Sequence, residues 1–136
     1  MNLKSSSLYK EVKKTYSLKT GDIHLFNHFI VAEFKEEVNL CFESIIEIIE
    51  ILQQNFNLSS PFGFISNRIN SYSIILTDVL KLKDELKNLS AYAVVTYSEA
   101  TKRNLEIEGY FLNFNRKHFN SLHEAKIWVE KELTIV

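Results

Sequence analysis

The strongest constraint on the fold is a run of apolar residues at helical spacing between residues 38 and 56. At about 100° per residue, the apolar side chains form one broad face and the acidic side chains line the opposite one. This pattern is typical of a helix that lies on a β-sheet. Leu40 and Ile51 fall at the margin of the acidic face, which indicates either a protein contact or a flank that neighbouring loops cover. The apolar face consists of Val38, Cys41, Phe42, Ile45, Ile46, Ile48, Ile49, Leu52 and Phe56.

Length and charge limit the class of protein. A chain of 136 residues fits one domain whose core needs no disulfide or metal. We therefore predict a single domain over residues 1–136, with a flexible segment over residues 1–7. The 16 basic and 17 acidic side chains leave a net charge of −1, so no overall field attracts nucleic acid. The single cysteine and the absence of a long apolar run predict a soluble, cytoplasmic protein without stable membrane insertion.

The order of predicted elements indicates an α/β fold. Before the long helix, the extended segments 8–18, 23–26 and 29–34 are so closely spaced that they must pair antiparallel. After it, strands and helices alternate, which favours right-handed crossovers to parallel strands. The fold class is therefore a mixed β-sheet of four to five strands, an antiparallel N-terminal meander followed by parallel βαβα units, with about four helices packed on it. The later elements are a strand over 62–65, a helix over 74–89, a strand over 91–97, a helix over 99–111, a strand over 114–119 and a helix that Ser121 and Glu124 cap.

A polar stretch over residues 66–73 directly follows the predicted strand 62–65. Open α/β sheets bind ligands at the carboxyl ends of parallel strands, and the end of the next predicted strand should face this stretch. These residues could contact an anion or nucleotide, accept a phosphoryl group or dock a protein. A polar connection whose side chains satisfy its own backbone is the other interpretation. The candidate binding residues are Asn67, Arg68, Asn70, Ser71, Tyr72, Tyr97 and Ser98.

Other chemistries lack the residues they need. His24 and His28 lie on a predicted strand and its turn, where four residues separate side chains by roughly 13 Å, too far to chelate one ion. Cys41 falls on the apolar helix face, which predicts a buried, unreactive thiol. The three glycines are too scattered to form a phosphate-binding loop. We therefore expect no catalytic residues, no metal and no cofactor.

The closing segment Phe119–Val129 resembles a known family. It contains an aromatic residue, a short cap, Glu124-Ala125 and then Trp128, and with the order of elements from Tyr16 onward it resembles the STAS-like domains of the SpoIIAA-like group. The resemblance implies a mixed sheet of four or five strands with helices against it. In anti-sigma-factor antagonists of this superfamily, a serine or threonine at the start of a helix is phosphorylated, and the pattern places Ser73 there as a possible phosphoacceptor. Here Tyr72 replaces the aspartate of that pattern, and Ile74 replaces the small residue.

Two main functions are consistent with these patterns. The first is a non-catalytic regulatory or protein-interaction module of the STAS-like type, either a monomer or a homodimer. The alternative is a small-molecule or lipid-binding domain with a pocket between sheet and helices, and a weaker alternative is a phosphorylation-switched anti-sigma-factor antagonist. The expected partner is an unidentified protein or a small apolar ligand, not nucleic acid. A sizeable apolar cavity under the second and third helices would favour the ligand, whereas tight packing with exposed Leu40, Ile51 or Tyr72 would favour a protein partner.

Overall fold

The computed structural model describes residues 2–99, 101–103, 108 and 114–134. The amino end forms two short 3-10 helices, Leu3–Ser5 and Ser7–Glu11, and residues 99, 101–103 and 108 are also helical. The α-helices are α1 (Phe42–Asn55), α2 (Leu76–Lys81) and α3 (Leu122–Thr134). The strands are β1 (Lys14–Ser17), β2 (Gly21–Leu25), β3 (Phe29–Phe34), β4 (Asn39–Leu40), β5 (Phe62–Arg68), β6 (Ser73–Ile74), β7 (Leu89–Thr96) and β8 (Arg116–Phe119).

Within the described residues, six strands form one mixed sheet in the order β1-β2-β3-β5-β7-β8. β1, β2 and β3 pair antiparallel, and β3, β5, β7 and β8 pair parallel. This confirms the predicted fold class, with a slightly larger strand count because short strands of four residues close both edges. β4 and β6 pair parallel outside the main sheet.

Side-chain alternation along the strands gives the sheet two buried faces. On one face, which we call the α1 face, the sheet packs against α1 and the buried leucines between α2 and β7. On the other, which we call the α3 face, it packs against α3 and the amino-terminal 3-10 helices. Gly63 in β5 allows α3 to approach closely, because a Cβ atom there would lie 2.5 Å from Cγ1 of Val129.

The long helix begins four residues later than its earliest predicted start. Asn39 and Leu40 pair with β6 instead of joining α1, and Cys41 becomes the residue that precedes the first helical turn. The Cys41 thiol is half-buried and donates to a Glu43 carboxylate oxygen at 3.2 Å, so the prediction of a buried thiol on the apolar face is wrong. Leu40 and Ile51 are both buried in the core of the α1 face, so neighbouring segments cover this margin of the helix.

The amino-terminal residues form short helices and contact the sheet, although their polar composition predicted a flexible segment. The strand predicted from residue 8 begins only at Lys14, because residues 7–11 form a 3-10 helix. Leu3 is fully buried, and its backbone N–H donates to a Glu33 carboxylate oxygen at 2.7 Å. The prediction of a flexible segment over residues 1–7 did not anticipate this contact.

One of the later helices differs from its predicted length. The helix predicted over 74–89 is shortened to α2, because Ser73 and Ile74 pair with β4 and residues 82–88 form turns. Most of the helix predicted over 99–111 lies outside the described residues. The carboxyl-terminal helix is confirmed, and the Ser121 hydroxyl accepts from the Glu124 backbone N–H at 3.4 Å.

Candidate functional site

The predicted polar loop is partly a continuation of β5. The strand runs to Arg68 rather than ending at Ile65, so Asn67 and Arg68 lie within the sheet. Because successive side chains of a strand point to opposite faces, Asn67 lies on the α3 face and Arg68 on the α1 face. The residues predicted to form one site therefore belong to two separate polar networks.

Asn67 is the centre of the network on the α3 face. Its side chain is 1% exposed, and its Nδ2 donates to Oε2 of Glu33 at 2.7 Å. Its Oδ1 accepts from the Tyr97 hydroxyl at 2.7 Å, which confirms that the ends of β5 and β7 face each other. Burial and the nearby Glu33 charge raise the pKa of Tyr97. Tyr97 is 45% exposed, so its ring connects the buried network to the surface.

Glu33 joins this network to the antiparallel strands. Its Oε1 lies 3.0 Å from Nε2 of His24, and Nδ1 of His24 lies 2.8 Å from the Thr15 hydroxyl. Burial acts to raise the pKa of Glu33, but the hydrogen bonds from His24, Asn67 and the Leu3 backbone outweigh it and lower the pKa. The carboxylate of Glu33 therefore remains charged within the fold at neutral pH.

The order hydroxyl, imidazole and carboxylate is also that of a nucleophile with its base and orienting acid. Here His24 is fully buried, and the Tyr9 ring packs edge-on against it with the ring centroids 6.2 Å apart. The Glu33 carboxylate also accepts a hydrogen bond from the backbone N–H of Leu3. The network therefore fixes the amino-terminal segment to the sheet and links β1 to β2 and β3.

Arg68 anchors the second network, on the α1 face. It is 3% exposed and forms a bidentate pair with Glu108, with Nη1–Oε2 and Nη2–Oε1 distances of 3.1 Å and 2.7 Å. Its guanidinium also lies 4.6 Å from the centre of the Tyr72 ring. A second cation, Arg116, lies 5.6 Å from the Tyr92 ring centre and 4.0 Å from the Glu108 carboxylate. Two guanidinium groups thus share one carboxylate among the described residues.

Burial raises the pKa of both tyrosines in this network, against the opposing effect of the Arg68 charge. Tyr72 and Tyr92 are therefore neutral phenols over the whole physiological range. The Tyr72 hydroxyl forms a hydrogen bond with the Ser66 hydroxyl. The buried Nε of Arg68 and Nη1 of Arg116 find no hydrogen-bond partner within the described part of the chain.

An apolar cavity of about 70 Å³ lies beside this network, between the sheet, α1 and α2, and is partly open to solvent. Its aromatic end is formed by Phe64, Tyr92 and Phe114, whose rings stack with centroids 5.4 Å and 6.1 Å apart. Leu40, which the sequence suggested as a contact for a protein partner, also lines the cavity. The cavity is lined by Phe34, Leu40, Ile45, Ile48, Ile49, Leu52, Phe64, Tyr72, Ile74, Val79, Leu86, Leu89, Tyr92 and Phe114.

The remaining predicted site residues, Asn70, Ser71 and Ser98, each form a hydrogen bond in which one partner is a backbone group. Asn70 donates from Nδ2 to the Phe34 carbonyl at 3.1 Å, and the Ser71 backbone N–H donates to the Glu36 carboxylate at 3.1 Å. The Ser98 hydroxyl accepts from a backbone N–H at 3.3 Å at the start of the next helical segment. Asn70 and Ser71 therefore bind Phe34 and Glu36 at and just beyond the end of β3, whereas the alternative interpretation expected these side chains to satisfy the backbone of their own connection.

Ser73 is exposed on β6, where its hydroxyl donates to Oδ1 of Asn39 at 2.8 Å. Helix α2 begins three residues later, at Leu76, so Ser73 does not stand at the start of the helix as the resemblance placed it. Phosphorylation of Ser73 stays a prediction.

The predicted site residues did not include Glu33, Glu108 or Arg116, and His24 was considered only as a metal ligand. A signal for Glu33 exists, because it is the one charge within the apolar run Phe29–Phe34, and a charge in a central strand requires a buried partner. Among the described residues, no group of three His, Cys, Asp or Glu side chains is arranged to hold a metal ion. No helix within the described ranges is long and apolar enough to cross a membrane.

The arrangement of strands and helices defines a SpoIIAA-like fold. The structure is similar to the crystal structure of an uncharacterized protein of the DUF3478 family with a SpoIIAA-like fold, from Shewanella loihica PV-4. The TM-score is 0.55 at 15% sequence identity, and the match covers 85% of this chain and 90% of that one. Neither a protein-family profile nor a curated protein sequence matches the chain. At this identity the similarity establishes the fold, and the resemblance inferred from the sequence is confirmed at that level.

Proposed function

We propose that this protein binds a small apolar molecule, without catalysing a reaction, in the cavity between the sheet and helices α1 and α2. The observation that supports this function is the cavity itself, a void of about 70 Å³ within the core of the α1 face. Protein cores are close-packed, so an apolar recess of this size that is partly open to solvent leaves space that a ligand could enter. The aliphatic and aromatic side chains of its wall disfavour water and favour an apolar group.

The size of the cavity limits the ligand. An engineered cavity of about 150 Å³ with a similar lining holds benzene, so a void about half as large accommodates a group of a few carbon atoms. α2 is well suited as the movable wall, because it has six residues and none of them is fully buried. A longer ligand would extend through the open side of the cavity, past α2.

The regulatory or protein-interaction role, which the sequence placed first, is the second candidate here. It loses two of its supports, because Leu40 and Ile51 are buried rather than exposed. Leu80 on α2 is 43% exposed and offers an apolar contact on the surface next to the cavity. A ligand that moves α2 would also change this surface, so the two roles are compatible.

The test uses 1-hexanol as a neutral probe and two-dimensional NMR of the full chain. We expect the amide shifts to change at residues that line the cavity, with a single dissociation constant. At a probe concentration of 100 times that constant, the free energy of unfolding should rise by about 2.7 kcal/mol. Shift changes scattered over the surface would contradict the proposal.

A matched pair of variants locates the binding. Val79→Phe fills the cavity from α2 and should weaken 1-hexanol binding at least about tenfold, which corresponds to about 1.4 kcal/mol. Leu80→Phe adds the same ring one residue further along the helix, outside the cavity lining, and should bind the probe as the wild type does. Equal binding by the wild type and Val79→Phe would place the probe elsewhere.

A further inference from the structure

We propose that the ligand of this cavity is a small carboxylic acid, whose apolar tail enters the cavity and whose carboxylate pairs with Arg116 and Arg68. This inference rests on the proposed function and specifies the class of ligand. It is carried by the position of two guanidinium groups at the aromatic end of the cavity.

The two cations lie next to rings that form part of the cavity wall. Tyr72 and Tyr92 both line the cavity, and they are the two rings that the guanidinium groups of Arg68 and Arg116 cover, at 4.6 Å and 5.6 Å. Neither arginine lines the cavity itself, so the head group of a tail that lies against these rings would reach the cations past the ring edges. The neutral phenol of Tyr92 adds a polar group at the same end.

The charges near the cavity are unbalanced among the described residues. Arg68 and Arg116 share Glu108, and the pairing is unequal, because Arg68 holds it in two short hydrogen bonds and Arg116 approaches only to 4.0 Å. A partly buried cation without its own counter-ion carries a desolvation cost. A second carboxylate, supplied by a ligand, would remove this cost for Arg116.

Unused hydrogen-bond donors point to the same chemistry. Nε of Arg68 and Nη1 of Arg116 are buried, and within the described residues neither has an acceptor. Only 3% of Arg68 is exposed to solvent, so water does not readily replace the missing acceptor. Guanidinium groups bind planar carboxylates through paired hydrogen bonds, which makes a carboxylate the matching acceptor. A neutral alcohol offers no such charge.

The test compares hexanoate with 1-hexanol, which has the same number of carbon atoms and no charge. We expect hexanoate to bind at least about tenfold more tightly at pH 7 and low salt, by calorimetry or NMR titration. The affinity of butanoate should be about fourfold lower per CH₂ group removed, since each buried CH₂ contributes about 0.8 kcal/mol. Equal affinities for hexanoate and 1-hexanol would overturn the inference.

Arg116→Gln provides the decisive variant. Arg116 is the better choice because removal of Arg68 would leave Glu108 unpaired and destabilise the fold. We expect Arg116→Gln to lose the preference for hexanoate while 1-hexanol binds unchanged. The control is Lys117→Gln, which removes one positive charge from the next residue of β8, exposed on the opposite face. Its preference for hexanoate should equal that of the wild type.

The outcomes separate this inference from the proposed function. If 1-hexanol enters the cavity but hexanoate has no advantage, the cavity binds apolar groups and the carboxylate assignment is wrong. If neither probe shifts the cavity residues, both the proposed function and this inference fail. If Arg116→Gln weakens both probes equally, Arg116 shapes the cavity and does not recognise a carboxylate.

Discussion

Neighbouring residues of β5 show how strand geometry separates chemical roles. Asn67 and Arg68 are adjacent in sequence, yet one binds Glu33 on the α3 face and the other binds Glu108 on the α1 face. Each polar side chain is buried with a charged partner, which avoids the cost of an unpaired polar group. Two different carboxylates therefore fix the carboxyl end of the same strand.

Glu33 is the residue whose ionisation should control stability most directly. Its pKa in the folded protein lies below the ordinary value of 4.5, so its carboxylate stabilises the fold at pH values above that value. This contribution is lost as the pH falls below 4.5 and through the lower pKa of the folded protein. We expect Glu33→Gln to lower the free energy of unfolding at pH 7 by about 1–3 kcal/mol, because an amide cannot accept all three hydrogen bonds.

Urea unfolding at a series of pH values between 7 and 3 measures this effect. The difference between wild type and Glu33→Gln should be largest at pH 7 and should shrink below pH 4.5. Glu47→Gln, an exposed change on α1, should track the wild type at every pH. A constant difference between wild type and Glu33→Gln would mean that the charge of Glu33 does not stabilise the fold.

The sequence could identify the candidate loop but not the direction of its side chains. The polar run 66–73 reads as a loop because nothing local distinguishes a buried Asn67 or Arg68 from an exposed one. Their burial depends on Glu33 and Glu108, which lie 34 and 40 residues away in sequence. Such partners are brought together only by the fold, so period-two alternation could not be applied until the end of β5 was known.

At the scale of elements, the position of α3 depends on the absence of a side chain in β5. A Cβ atom at Gly63 would lie 2.5 Å from Cγ1 of Val129 and 3.0 Å from Cβ of Phe29. In the interior of a strand, replacing glycine by alanine normally stabilises the fold by roughly 0.5–1 kcal/mol. We expect Gly63→Ala to destabilise instead, by about 1–3 kcal/mol, because it forces α3 away from the sheet.

A double-mutant cycle with Val129→Ala tests this contact. Val129→Ala removes the Cγ1 atom, so Gly63→Ala should cost less in that background than in the wild type, as measured by urea unfolding. Additive effects, or a stabilising Gly63→Ala, would show that α3 does not pack closely over Gly63.

Elements with a regular period were predicted best. α1 and α3 follow the 3.6-residue apolar pattern, and the central strand β7 follows from its continuous apolar run. The first residues of α1 and α2 were predicted wrongly. Asn39 and Ser73 pair with each other across 34 residues of sequence, and no local pattern indicates that pairing. The short 3-10 helices at the amino end were missed because their stability comes from burial of Leu3 and Leu8 against the sheet.

At the scale of the whole molecule, one sheet separates two apolar cores. Leu52 lies in the core of the α1 face, and Trp128, the single tryptophan, packs on Phe119 beside the core of the α3 face. The strands between them contribute side chains to both cores. Because small single domains usually unfold in one cooperative transition, the single domain inferred from the chain length predicts that the two cores unfold together.

Leu52→Ala tests this cooperativity from one face to the other. The substitution leaves a cavity in the α1-face core and should lower the free energy of unfolding by about 2–5 kcal/mol. Because the sheet is common to both cores, the urea midpoint from Trp128 fluorescence should fall by the same amount as the midpoint from far-UV circular dichroism. Leu80→Ala, at an exposed position of α2, should shift both midpoints little. A Trp128 transition that stays at its wild-type midpoint while circular dichroism shifts would mean that the α3 face unfolds independently of the α1 face.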